Sequence, residues 1–452
     1  MSVTPALAAS PAGLWNRWTA GSRAADAALV AAVVVAGSVS RHAVYTGYGV
    51  AILVGSVAVL AAAVWRAAGA EGPSRAGVLV ALAGAVFAQV IKPPYMNVEA
   101  GTWLLRAGVW VCLGSTVLAA ALLLDAVGSV PRRRVAVAGL GLVGVLSAYL
   151  LVARGSTRPL IDVWAILQGA SLGVVHGQNP YDMVFASVPR GQVNDVFNYL
   201  PATFLLPVPS RLLLGDVRYA EAAMLAAGVG ALAWWTLRWP VRPATGPALA
   251  LLVGVLPGAL YDVQQAWNET ILAGALIAAA VLLAAGRAGW AAVCLALALA
   301  TKQHIVLLLP LWACWRTFGW RRAAAAAAGA AAVALPWAVA DFDRFRYGVL
   351  DFFVDLPARP DSLSLWHLLP SPLRAVTLLA LTAAAYVLAL GRLPRTPAGL
   401  LVGSALVLAA FDLANKQSFL NQWLLAAQLV VAGLALAGSG QPDRGQSFST
   451  GA

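Results

Sequence analysis

Residues 131–154 read PRRRVAVAGLGLVGVLSAYLLVAR: a proline, three arginines, a long run without a charge, then one more arginine. A helix rises about 1.5 Å per residue, so the run from Val135 to Ala153 nearly crosses a hydrocarbon layer about 30 Å thick. Strands of a membrane barrel would alternate polar and apolar positions, and this run does not. It reads as a membrane-spanning helix pinned at one end by a basic cluster.

The pattern recurs in both directions. Runs of about 16 to 22 apolar residues, flanked by Arg, Pro or Gly, cover roughly 25–41, 49–65, 76–92 and 105–124 before it. After it come roughly 217–237, 246–261, 269–286, 288–301, 304–316, 322–340, 372–391, 397–412 and 419–438, which makes about fourteen spans. Composition agrees: 61% of the 452 residues are hydrophobic, 11% are charged and mean hydropathy is +0.80. A water-soluble core needs far less. The fold class expected is an all-α polytopic membrane protein.

Basic residues orient the spans. With a cytoplasmic N-terminus, every inner loop carries arginine, among them Arg17, Arg23, Arg66, Arg75, Arg132, Arg133, Arg134, Arg238, Arg287, Arg321, Arg322 and Arg392. That is the positive-inside pattern. The opposite loops receive most acids, including Glu99, Asp162, Asp182, Asp195, Asp216, Asp262, Glu269, Asp341, Asp343, Asp351, Asp355, Asp361 and Asp412. The net charge of +12 therefore reads as a topology signal. A nucleic-acid binder would instead gather its charge in a stripe with interleaved aromatics. Residues 1–24 carry no cleavable signal pattern, and the tail 439–452, rich in Gly, Ser, Gln and Pro, is expected to be disordered and cytoplasmic. Ala323 to Ala328 is a low-complexity run suited to close helix packing.

Several chemistries find no motif here. The sequence has no phosphate-cradling glycine loop ending in Lys and Ser or Thr, and no His-Glu-x-x-His. Cys112, Cys294 and Cys314 lie inside apolar runs, so neither a disulfide framework nor a thiolate metal site is expected. The expectation is no metal and no bound cofactor.

Two outer loops exceed a connector's length, about 154–216 and about 341–371. The first begins at Asp162 and continues through a stretch with Val163, Ile166, Leu167, Ala170 and Leu172 on one side and Gln168 and Ser171 between them. Such short amphipathic helices lie in the membrane interface. An acid at that boundary is placed to take a proton from a hydroxyl; the plainer alternative is that Asp162 caps the helix after it. Asn179-Pro180-Tyr181-Asp182 follows as a turn that starts a helix.

The only lysines, Lys92, Lys302 and Lys416, all fall at outer helix ends, where topology does not ask for them. They could snorkel to headgroups. With Gln303, His304, Gln417, Asn421 and Gln422 they would also make a donor set for a phosphate. Asp262, Gln264, Gln265, Trp267, Asn268 and Glu269 gather at another outer turn, which would be either a solvated loop or the lining of a sugar site.

Ile161-Asp162-Val163-Trp164, Gly177-Gln178-Asn179-Pro180-Tyr181-Asp182 and Asn198-Tyr199-Leu200-Pro201, with Pro207 after them, resemble glycosyltransferase family 87 of the GT-C superfamily. That family includes the polyprenyl-phosphate-mannose-dependent mannosyltransferases of actinobacterial envelopes. Thr301-Lys302-Gln303-His304, running on to Pro310, is similar to the family's lysine-containing helix start. The resemblance covers about Arg134 to Gly438. It implies an inverting hexosyltransferase of the cell membrane with an extracytoplasmic site. Its donor would be a sugar on polyprenyl phosphate and its acceptor a lipid or glycan, all in contact with membrane lipids and without nucleic acid.

Asp162 matches the family's general base, and Lys302 with His304 matches the region that holds the donor phosphate. Asn179, Tyr181, Asp182, Asn198, Tyr199, Gln303, Lys416, Asn421 and Gln422 complete the substrate-binding set, with Asp262, Gln265, Asn268 and Glu269. Two departures stand out. Five spans precede the loop, leaving a four-helix module at 1–125 ahead of a catalytic domain at 126–438, and the start of the loop carries the single Asp162 rather than a paired acid motif, as fits this branch of the family. A pentose such as arabinofuranose could replace mannose, and a lipid or lipid-linked glycan transporter is the rival from another class.

Overall fold

The computed structural model describes residues 21–41, 44–91, 102–128, 130–157, 159, 161–185, 196–240 and 245–439. Among these the chain is helical throughout, with one isolated bridge between Pro240 and Ser439. Five long helices come first: α1 Arg23–Arg41, α2 Gly47–Trp65, α3 Arg75–Ile91, α4 Thr102–Leu123 and α5 Pro131–Gly155. The first long loop then holds α6 Val163–Val175, a 3-10 turn Pro180–Asp182, α7 Ala202–Leu205 and α8 Val208–Leu214. Next are α9 Arg218–Arg238, α10 Thr245–Val255, α11 Ala259–Gln265, α12 Glu269–Ala284 and α13 Ala288–Leu299. A 3-10 segment Gln303–Leu308 leads into α14 Leu309–Cys314 and α15 Trp320–Ala340. The second long loop carries α16 Phe342–Arg346, a π turn Tyr347–Asp351, α17 Phe352–Asp355 and a 3-10 turn Trp366–Leu368, before α18 Ser371–Arg392, α19 Pro397–Ala414 and α20 Leu420–Ala437.

Among the described residues ten helical stretches are long and apolar enough to cross a membrane. The predicted spans at 76–92, 269–286, 288–301 and 304–316 are shorter helices of 10–17 residues. For the last three, hydropathy runs on through the turns that end them, at Gly286 and Thr301 for example, and so overstates helix length. By length and composition, ten of the expected fourteen qualify among the described residues, and the other four are shorter apolar helices.

Burial sorts the helices. Every residue of α10 is buried, and so are nearly all of α19 and α20, so these form the centre. The N-terminal helices pack directly on that centre, α1 against α20 and α4 against α10. By contrast α15 and α18 are mostly exposed; of the alanine run only Ala323 and Ala326 are buried, so its expected close packing is confined to one face.

Where α9 and α12 cross, a Cβ added at Gly274 would lie 2.3 Å from the Met224 carbonyl oxygen and one at Gly228 2.8 Å from the Gly274 Cα. Small residues at such a crossing let backbones approach. Gly274→Leu is expected to cost at least the 1–3 kcal/mol of an overpacked core, read as a lower unfolding midpoint of the purified protein in micelles.

The α10–α11 span is broken at Leu256–Gly258, where Gly258 has φ +97°. Helical carbonyls freed in a membrane must find other donors. Here the Tyr149 hydroxyl donates to the Gly254 carbonyl and Gln89 Nε2 to that of Val255.

Loop contacts sort by end. Ser22 bonds Gly72, Asp125 pairs with Arg75 and Arg134 at 2.7 Å each, and Trp315 Nε1 donates to Thr396 O, all among loops predicted inner. Tyr45 bonds Asp361, Leu200 bonds Thr301 and Leu363 bonds Ser418, all among loops predicted outer.

Candidate functional site

Asp162 stands between α5 and α6. Its main-chain carbonyl accepts from Ile166 N at 3.0 Å, but its side chain makes no capping bond to α6. The capping alternative is thereby corrected: the carboxylate does not serve its own helix. A frame of polar contacts holds this corner. Ile161 N donates to Gln265 Oε1 (3.0 Å) and Trp164 Nε1 to Asp216 Oδ1 (3.3 Å). Asp216 is forked by Arg218, whose Nη1 donates to the Gln264 carbonyl (3.1 Å) and whose guanidinium carbon lies 5.6 Å from the Trp164 ring centroid. On α6 itself Val163, Ile166, Leu167 and Ala170 are buried as expected. Ser171 is buried as well, where a polar interface position was expected, because its hydroxyl donates to the Phe204 carbonyl at 2.9 Å.

The turn 262–269 is not a solvated loop. Asp262, Gln264, Gln265, Asn268 and Glu269 are all 0–1% exposed. The chain reverses there through Ala266 at φ +57°, and Asn268 leads into α12. Both oxygens of Asp262, Gln265 Nε2, both polar atoms of the Asn268 amide and Glu269 Oε2 make no hydrogen bond within the protein. Each such group costs about 1–3 kcal/mol unless water or a polar ligand bonds it.

Lys302 meets this turn. Its ammonium pairs with Glu269 Oε1 at 2.5 Å and lies 5.8 Å from the centroid of Tyr199. Beside it Gln303 Nε2 donates to the carbonyls of Asn198 (3.0 Å) and Val349 (3.1 Å), tying both long loops to the 3-10 segment. Asn421 and His304 neighbour the Glu269 carboxylate. Tyr199 connects the halves. Desolvation, then the carboxylates of Asp162, Glu269 and Glu221, push its phenol well above the ordinary range. The phenol therefore keeps its proton and is fit to donate a hydrogen bond.

Tyr181, Asn179 and Asn198 frame the site from the loop above. Asn179 Oδ1 accepts from Tyr181 N (3.2 Å), and Tyr181 OH donates to the Tyr199 carbonyl (2.8 Å). Tyr181 packs edge-on against Phe197 and Phe345, with ring centroids 5.4 and 4.9 Å away. Three expected site residues are used otherwise. Asp182 is exposed and pairs with Arg344 at 3.1 Å. Lys416 gives its ammonium to the Val354 and Leu356 carbonyls (2.9 and 2.7 Å), bracing the second loop. Gln422 Oε1 accepts from Phe419 N (2.8 Å), closing the start of α20. Lys92, Glu99, Asp195 and the tail 440–452 lie outside the described residues.

The sequence reading missed Glu221, Gln428 and the burial of Asp412. All three are 0–1% exposed, and both oxygens of Glu221, both polar atoms of Gln428 and Oδ1 of Asp412 lack a bond within the protein. A lone acid in the first turn of an apolar helix gave the only signal. No protein-family model, curated protein or solved structure matches this chain.

Proposed function

We propose that this protein is a membrane glycosyltransferase that moves a sugar, mannose in the first instance, from polyprenyl phosphate to a hydroxyl of a lipid- or glycan-linked acceptor at the extracytoplasmic face. One set of observations supports the reading: the Lys302 ammonium, paired with Glu269, lies 5.8 Å from the Tyr199 ring, and the Asp162 carboxylate acts electrostatically on the same phenol. A base for the acceptor and a cation for the donor phosphate thus share one end of the bundle.

In the proposed reaction Asp162 takes the proton of the acceptor hydroxyl. The freed oxygen forms a bond to the anomeric carbon while the bond from that carbon to the phosphate oxygen breaks. Its electron pair leaves with polyprenyl phosphate, and attack from the opposite face inverts the centre. An ammonium has three donors; Glu269 takes one from Lys302, and the others are available to the departing phosphate, with His304 beside them. The unbonded groups of Asp262, Gln265, Asn268 and Glu269 offer mixed donors and acceptors for sugar hydroxyls.

A transporter is the second reading. The broken α10–α11 span and the buried acids Glu221, Asp262 and Asp412 favour it, since discontinuous helices mark many transporter sites. One assay separates the two. Protein in liposomes is given polyprenyl-phosphate-mannose, or its pentose counterpart, with a glycolipid acceptor. The transferase forms a new glycosidic product with one donor; a transporter relocates lipid and forms none.

A further inference from the structure

The second outer loop opens with an unbroken helical stretch, α16, the π turn and α17, spanning residues 342–355. It is set off from α15 at Asp341, whose extended backbone (φ −155°, ψ 97°) ends one helix while its Oδ1 accepts from Arg344 N (3.0 Å) to start the next. The chain therefore changes direction as it leaves the span.

One face of this stretch closes on the site. Phe345 packs on Tyr181, and the Val349 carbonyl accepts from Gln303, the neighbour of Lys302. Gly348 sits so close that a Cβ there would be 2.4 Å from the Phe197 carbonyl oxygen.

Away from the site the stretch exposes three large apolar side chains beside the charged Asp343, Arg344, Arg346 and Asp355. Tyr347, Leu350 and Val354 are 44%, 57% and 69% exposed. The strip continues that of α15, where Leu335, Val339 and Phe342 at the junction are equally bare. Because α15 is long and apolar enough to span the bilayer, its uncovered face meets hydrocarbon, and the ridge begins where that face ends. Leu212, Leu213 and Leu214 of α8 expose a second apolar edge on the first outer loop. A helix with one apolar face at this level seats in the boundary between headgroups and acyl chains.

We propose that residues 342–355 are a bilayer-docked roof: the Phe345–Gly348–Val349 face covers the Tyr199–Lys302 site, and the Tyr347–Leu350–Val354 ridge is seated in the lipid of the adjacent leaflet. The site beneath then opens sideways to lipid rather than upward to water. The inference rests on membrane insertion alone and stands whether the chemistry is transfer or transport.

Spin labels test it in the full chain in liposomes. Cys294 and Cys314 are replaced by serine, buried Cys112 is kept, and single cysteines are introduced as Tyr347→Cys, Leu350→Cys and Val354→Cys, with Asp355→Cys and Gln178→Cys as water-facing references. Seated in lipid, the three ridge labels collide with oxygen more than with a water-soluble nickel chelate, and the references show the reverse. Ridge labels that favour the nickel reagent as the references do would overturn the proposal. So would labels shielded from both reagents, because a protein partner or second copy would then cover the ridge.

Discussion

Asp162→Asn is expected to lower transfer from polyprenyl phosphate by about 10² to 10⁴, the usual loss with a general base, while the variant keeps its elution profile and unfolding midpoint. Asn is the informative replacement because it keeps the size and hydrogen-bonding capacity of Asp while removing the proton-accepting carboxylate. A structural role would therefore survive the change, and a proton-accepting role would not. The measurement is turnover under saturating donor, compared with wild type. Turnover within a few fold of wild type would remove Asp162 from the mechanism.

The helices were legible in the sequence to a far greater degree than the site. Each expected span coincides with a helix in the structure, because uninterrupted apolar stretches are a strong signal. Its failures were of length: α12, α13 and the segment 303–314 fall short because hydropathy persists through their terminal turns. Pro257-Gly258 did announce a break inside one span, yet hydropathy alone reads across it. Asp162, Lys302 and Glu269 were singled out because charged side chains at predicted outer helix ends stand out in a chain with so few. Glu221 was not, since a single acid inside an apolar run barely alters a hydropathy window. Lys416 shows the opposite error. An unexplained lysine looked like a ligand group, but its partners are main-chain carbonyls contributed by a loop some sixty residues away, and nothing in local sequence encodes that.

Lys302→Met should produce the largest loss of stability. Glu269 is wholly buried and the lysine side chain is 14% exposed, so the pair sits largely out of water. Removing one member of a buried pair strands the other charge and costs about 3–5 kcal/mol, whereas replacing both is often close to neutral. The variant Lys302→Met is thus expected to unfold at markedly lower temperature in micelles, and Lys302→Met with Glu269→Gln to recover most of that loss. Function separates from folding in the double variant. It keeps a folded site without the ammonium, so its retention of polyprenyl phosphate should fall well below wild type although its midpoint is nearly restored. If the double variant holds the lipid phosphate as tightly as wild type, Lys302 is a structural ion-pair partner and the donor phosphate is held elsewhere. If the single variant is as stable as wild type, the pair does not carry the burial cost its geometry implies, and Glu269 is already neutral in the folded protein.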